Sequence, residues 1–70
     1  MSDISAEIER VANAPVGMRS DALFSAAYRI AIIAGDSKRR ALTKAAIGAG
    51  LCQAEIDKTI DSALRLAGFQ

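Results

Sequence analysis

Apolar residues recur every three or four positions along most of the chain, the spacing that places them on one face of an α-helix. Gly and Pro residues interrupt this pattern and divide the chain into four segments. The predicted helices have the approximate bounds 3–14, 19–34, 37–49 and 53–67. No segment alternates apolar and polar residues as a half-buried strand does. The sequence therefore predicts one all-α domain over residues 1–70, a small bundle of about four short helices joined by short loops.

The four segments differ in how far their apolar residues spread around the helix. The second is apolar on most sides because Ile32 and Ile33 widen its stripe, so we expect it at the centre of the bundle. The second, third and fourth helices should form the core, with the first packed across them. Ser20 is the expected N-cap of the second helix, and Asp36 or Ser37 that of the third.

The composition argues against an enzyme. Among the 70 residues there is no His and one Cys, which excludes Ser-His and Cys-His nucleophilic pairs and a plausible zinc site. Asp57 and Asp61 share a helix face, but we interpret them as a solvated surface pair that Lys58 and Arg65 offset. No Gly-rich phosphate loop is present. We therefore predict no catalytic residue, no cofactor and no metal.

The remaining chain features indicate a location rather than a chemistry. The N-terminus lacks the basic start and apolar stretch of a signal peptide. The longest apolar run, Ile30 to Ala34, is far too short to cross a bilayer, so we expect a cytoplasmic protein without membrane contact. Cys52 cannot form an internal disulfide and is interpreted as a small, half-buried apolar residue.

Basic residues concentrate at the start of the third helix. Lys38, Arg39 and Arg40 are consecutive and Lys44 follows one turn later, although the helix dipole disfavours cations there. Residues 17–50 hold six basic and two acidic residues, against a net charge of +1 for the whole chain. One interpretation is a solvated face that maintains solubility. The other is contact with nucleic-acid phosphates, which requires no sequence reading.

Two further side chains bear on the second interpretation. Arg19 and Arg29 would extend the basic patch if packing brought them near it. Tyr28 is the aromatic residue with a polar tip in this region, where stacking on a base is one role and the edge of the core is the favoured one.

Several short motifs are similar to a known family. The chain resembles the helical-bundle accessory module of phage and plasmid DNA primases, which accompanies a primase-polymerase or helicase domain. The matching elements are Gly17 to Leu23, Ala26-Ala27, Gly35, Ala41-Leu42, Ala45-Ala46, Ala49 to Leu51, Glu55 and Thr59 to Gly68. The resemblance implies contact with template or primer DNA, or with a replication partner. Arg19 is the charged position that it carries over.

Three hypotheses follow. The first is a non-catalytic module of a phage or mobile element that binds nucleic acid or assists replication. Single-stranded DNA is among the candidate ligands. The residues predicted to bind nucleic acid are Arg19, Lys38, Arg39, Arg40 and Lys44. The second is a protein-binding phage inhibitor or adaptor that acts on a host complex. The third is a homodimer that covers the apolar residues Ile47, Leu51, Leu66 and Phe69.

Overall fold

Four α-helices account for most of residues 3–68, the part of the chain that the computed structural model describes. They are α1 (Asp3–Ala12), α2 (Arg19–Ala34), α3 (Arg39–Gly48) and α4 (Gln53–Leu66), and a single 3₁₀ turn (Val16–Met18) leads into α2. No strand occurs within these residues. The predicted small all-α bundle is confirmed.

Three helices are shorter than the sequence predicts, α4 by a single residue at its end and α1 and α3 by more. Helix α1 ends at Ala12 rather than near residue 14, because the residue before Pro15 is driven out of the helical region. Helix α3 begins at Arg39 rather than near residue 37. Ser37 instead stays with the preceding turn, where its hydroxyl donates to the carbonyl of Ala34 at 2.9 Å.

The predicted side-chain caps are wrong for α2 and α3. Met18 occupies the N-cap of α2 and Lys38 that of α3, and neither makes a side-chain capping bond. Ser20 lies inside α2, where its hydroxyl donates to the carboxylate of Glu55 on α4 at 3.1 Å. Because this bond joins two helices, Ser20 serves tertiary packing instead of helix initiation.

The core lies between α2 and α4, which share the most extensive helix contact, and α1 packs across α2 and α3. Each helix contributes fully buried residues, which are Val11, Leu23, Ala26, Ala27, Ile30, Leu42, Ala46, Ile56, Ile60 and Ala63. The many alanines let the helix backbones approach closely. Helix α2 is central as predicted, but Ile32 and Ile33, which widen its apolar stripe, remain about 60% exposed.

A nearly buried carboxylate ties α1 to α2. The Glu7 side chain is 12% exposed and accepts hydrogen bonds from Arg10 at 3.2 Å and from Arg29 at 3.0 Å. Arg10 lies one turn further along α1, whereas Arg29 projects from α2. A carboxylate in so poorly hydrated a position needs such partners. The contact therefore fixes α1 against the rest of the bundle.

The turn between α3 and α4 is a Schellman motif. The amide of Leu51 donates to the carbonyl of Ala46, and that of Gly50 donates to Ile47, each at 3.0 Å. Gly50 has a φ of 103°, a backbone conformation that residues with a side chain rarely adopt. The predicted terminal glycine of α3 is therefore confirmed. Phe69, the predicted hydrophobic contact after α4, lies outside the described residues.

Candidate nucleic-acid interface

The solvent-facing side of α3 carries the basic residues that the sequence singles out. At about 100° of rotation per residue, the exposed positions of α3 fall within an arc of roughly 120° centred on Lys44. Leu42 and Ala46 are buried and lie on the opposite side of the helix. The exposed face consists of Arg40, Ala41, Lys44, Ile47 and Gly48. It therefore combines two cations with small or aliphatic residues and holds no acidic one.

Two of the predicted cations lie on this face, and a third stands at the N-cap of α3. Lys38, Arg40 and Lys44 are exposed, and none forms an ion pair within residues 3–68. Arg40 and Lys44 project from one side of the helix because they are four residues apart. Lys38 stands just before the helix, where the first backbone N–H groups point outward. We name these three residues the α3 basic cluster.

Arg39 points away from the cluster and toward α4. Its guanidinium lies 2.8 Å from the carboxylate of Asp61 and 3.6 Å from that of Asp57. Asp57 also accepts a hydrogen bond from the side-chain amide of Gln53 at 3.0 Å. The interpretation of the two carboxylates as a pair offset by Lys58 and Arg65 is corrected accordingly, because Arg39 neutralises them from another helix. Their surface location is confirmed, since the side chains are 49% and 56% exposed.

The same contacts hold Arg39 in its charged form. The hydrogen bond to Asp61 raises the pKa of Arg39 above its ordinary value. Partial desolvation lowers this pKa, and the negative charges of Asp61 and Asp57 raise it further. The guanidinium thus remains a permanent cation whose charge is already compensated. Arg39 joins α3 to α4 and is less available to a phosphate than its neighbours.

Arg19 lies at the other end of α3. Its Nη1 atom would be 2.8 Å from a Cβ atom at Gly50, so the guanidinium packs against the turn that follows the helix. Its Nε is buried without a hydrogen-bond partner. Because α3 has ten residues, roughly 15 Å of helix separates this end from the start of the α3 basic cluster. The structure therefore does not bring Arg19 into the cluster.

The other side chains considered for the patch are engaged elsewhere. Arg29 contacts Glu7 on α1, as described above. Tyr28 and Phe24 are half-buried and packed against the core, which confirms the favoured interpretation of Tyr28. Neither aromatic ring of α2 stands free beside the α3 basic cluster.

A second surface feature was not predicted from the sequence. A groove of about 400 Å³ runs between α1 and α2, with Arg10 and Arg29 on its walls and the Glu7 carboxylate between them. Met18 at one end is 56% exposed, and Ile32 and Ile33 line a smaller depression that continues past the two arginines. The sequence does carry a signal for this surface, since a helix that is apolar on most sides exceeds what a small bundle can cover.

The remaining predicted positions can be located as well. Cys52 is exposed at the start of α4, so the interpretation as a half-buried residue is wrong. Ile47 and Leu66 are exposed, whereas Leu51 is half-buried against the core. In residues 3–68 no group of three potential metal ligands comes together. None of the helices described is long and apolar enough to cross a membrane.

Comparisons with protein-family models, with curated proteins and with solved structures find no match to the chain. The resemblance to primase accessory modules therefore stays a prediction. Four residues of its motifs nevertheless meet in the structure, because Arg19 packs on Gly50 and Ser20 bonds to Glu55. These contacts give the motif residues a packing role at the junction of α2 with the α3–α4 turn.

Proposed function

We propose that this protein is a non-catalytic binding module that contacts nucleic-acid phosphates through the α3 basic cluster. One observation carries the proposal: Arg40 and Lys44 lie on one side of a helix that holds no carboxylate, and Lys38 stands at its N-cap. All three are exposed and unpaired within the described residues. Cations so arranged bind a polyanion by releasing its counterions. A role in phage or mobile-element replication is the biological setting that the primase resemblance suggests.

The charge distribution of the other helices supports this placement. On the outer side of α4, Lys58 and Arg65 alternate with Asp61, so no uniform field arises there. The cations of the α1–α2 groove share the carboxylate of Glu7. Of the surfaces described, the start of α3 has the clearest excess of positive charge, because three unpaired cations face the exposed carboxylate of Asp36. Such an excess is the electrostatic signature of a backbone-binding site.

The test is a fluorescence-anisotropy titration of labelled DNA at low and at moderate salt. The wild-type protein should bind with an affinity that falls steeply as salt increases. In the K38Q/R40Q/K44Q variant the affinity at low salt should fall at least about tenfold, and the salt dependence should lose about one unit of slope per neutralised cation. Glutamine preserves helix propensity, so the fold should be retained.

A matched control compares the loss of two cations from α3 with the loss of two cations from α4. R40Q/K44Q and K58Q/R65Q remove the same charge from exposed positions of α3 and α4. Binding that is lost in the first and retained in the second supports the α3 basic cluster as the site. Equal losses in both would mean that only the net charge matters, and unchanged binding in the first would refute the assignment.

A second candidate function is protein binding through the α1–α2 groove. The observation that favours it is the exposure of Met18, Ile32 and Ile33 around a groove with two arginines. Exposed apolar residues around a concave surface are typical of protein interfaces. If the chain binds no nucleic acid, a host partner that is captured after nuclease treatment and lost on Ile32→Ser and Ile33→Ser substitution would support this alternative.

A further inference from the structure

We infer that the preferred ligand of the α3 basic cluster is duplex DNA, with the exposed face of α3 lying in the major groove. This inference rests on the proposed function and goes beyond it by naming the form of nucleic acid. A surface that contacts phosphates alone would accept single strands, DNA duplexes and RNA duplexes without much distinction. The shape of α3 and the placement of the aromatic residues separate these ligands.

The dimensions of α3 suit the major groove of B-form DNA. An α-helix with its side chains is about 10–12 Å wide, and this groove is about 12 Å wide and about 8.5 Å deep. The ten residues of α3 extend over roughly 15 Å, the length of about four base pairs. A helix of this length can therefore lie along the groove floor without leaving it.

The side chains on the exposed face permit a close approach. Ala41 and Gly48 flank one edge of the arc, and a Cβ atom at Gly48 would meet nothing within 4 Å. Lys44 occupies its centre and Arg40 lies toward the opposite edge, so that the two can reach base edges or the phosphates on the rims. Ile47 supplies an apolar contact of the kind that thymine methyl groups accept. Acidic residues, which would repel a duplex, are absent from this face.

Arg39 protects the face from the nearest acidic residues. Asp57 and Asp61 lie on the flank of α3 and would repel the phosphates on one rim of the groove. The guanidinium of Arg39 contacts both carboxylates, at 2.8 Å from Asp61 and 3.6 Å from Asp57, and offsets part of their charge. Asp36 and Asp57 also border the depression beside Arg40. The four cations around the start of α3 outnumber the three carboxylates near it, so the local charge remains positive.

Single-stranded ligands lack the contacts that they require here. Proteins that bind single strands combine a basic groove with aromatic rings on which the bases stack. In the part of the chain that the structure describes, both phenyl-type rings, Phe24 and Tyr28, pack against the core on α2. Double-stranded RNA is disfavoured for another reason, because its major groove is deep and too narrow for a helix.

The experiment compares three ligands of one sequence: duplex DNA, its single strand and the corresponding RNA duplex, at equal phosphate concentration and low salt. We expect the Kd for duplex DNA to be about tenfold or more below that for either competitor, because only the B-form groove admits the helix. The major-groove ligand methyl green should displace the protein, whereas the minor-groove ligand distamycin should not. In amide NMR spectra, shifts should extend along the exposed face from Arg40 to Gly48.

Each other outcome has a distinct meaning. Binding to none of the three ligands would refute the proposed function itself. Equal or tighter binding to the single strand, or to the RNA duplex, would overturn the groove geometry while the proposed function stands. Displacement by distamycin alone, or amide shifts confined to the residues around Lys38, would likewise overturn it, since the helix would then touch the duplex from the minor groove or with its end.

Discussion

Arg39 and Asp61 form the shortest ion pair between α3 and α4, with 2.8 Å between Nη1 and Oδ1. The pair places a cation of the basic run in a structural position. Of four neighbouring basic residues, Arg39 thus joins two helices, whereas Lys38, Arg40 and Lys44 form no ion pair within residues 3–68. Helix rotation decides between them, because Arg39 lies about 100° from Arg40 and faces α4.

This division predicts different effects for two adjacent substitutions. Arg39→Gln should destabilise the fold by about 1 kcal/mol, since an exposed ion-pair network contributes little and two neighbouring carboxylates lose their partner. Arg40→Gln should leave stability within about 0.5 kcal/mol of wild type and weaken DNA binding more than Arg39→Gln does. Urea denaturation and anisotropy titrations of the two variants measure both effects. The opposite ranking in binding would show that Arg39 leaves Asp61 to contact the ligand.

Asp36 provides a prediction of the opposite sign. Its exposed side chain lies two residues before Lys38 and forms no ion pair within the described residues. A negative charge so close to the α3 basic cluster repels phosphates over a distance that low salt does not screen. Asp36→Asn should therefore strengthen DNA binding several-fold at low salt and little at high salt. Asp21→Asn, which removes an exposed carboxylate from the far end of α2, is the control and should change the affinity less.

Substitution of Glu7 tests how firmly α1 is attached to the rest of the bundle. Glu7→Gln removes the charge that pairs with Arg10 and Arg29 from a side chain that is 12% exposed, whereas both arginines are more than half exposed. The cost should lie between those of surface and buried pairs, at about 1–2 kcal/mol. Glu9→Gln alters an exposed residue without an ion pair in the described part of the chain and should be nearly neutral. Hydrogen exchange should show the loss of protection concentrated in α1, and uniform loss over all helices would contradict a local role.

The sequence predicts the positions of the helices better than the packing contacts between them. The apolar period of Ile56, Ile60 and Ala63 suffices to place α4 against the core, because that period depends on the helix alone. Ile30, Ile32 and Ile33 are equally hydrophobic residues of the same helix, yet of these three only Ile30 is buried. Whether an apolar side chain is covered depends on how many helices surround it, and a bundle of this size has too few to cover every side of α2.

The candidate site follows the same division. Charge clustering along the chain singles out Lys38, Arg40 and Lys44, and the structure leaves all three exposed and without an ion pair in residues 3–68. The different role of Arg39 requires the position of α4, and that of Arg19 requires the path of the α3–α4 turn. Both are tertiary contacts between residues more than fifteen positions apart, for which periodicity and caps carry no signal. Glu7 was missed likewise, because its partner Arg29 lies on another helix.

Two glycines that are two residues apart predict opposite changes in stability. Gly50→Ala forces a side chain into a backbone with a φ of 103° and places its Cβ atom 2.8 Å from Nη1 of Arg19. A residue held in that region costs about 1–3 kcal/mol, and the guanidinium must also move. Gly48→Ala adds a Cβ atom that meets nothing within 4 Å inside a helix, so it should stabilise the fold by up to about 1 kcal/mol.

Chemical denaturation of the two alanine variants measures these changes directly, and a third variant separates the two causes at Gly50. In Arg19→Ala/Gly50→Ala the steric conflict is gone while the unfavourable φ remains. The double variant should therefore be more stable than the sum of the single losses predicts, because the two substitutions act on one contact. Strict additivity would mean that Arg19 leaves the turn at no cost, and that the packing of the guanidinium on Gly50 does not hold the α3–α4 turn in place.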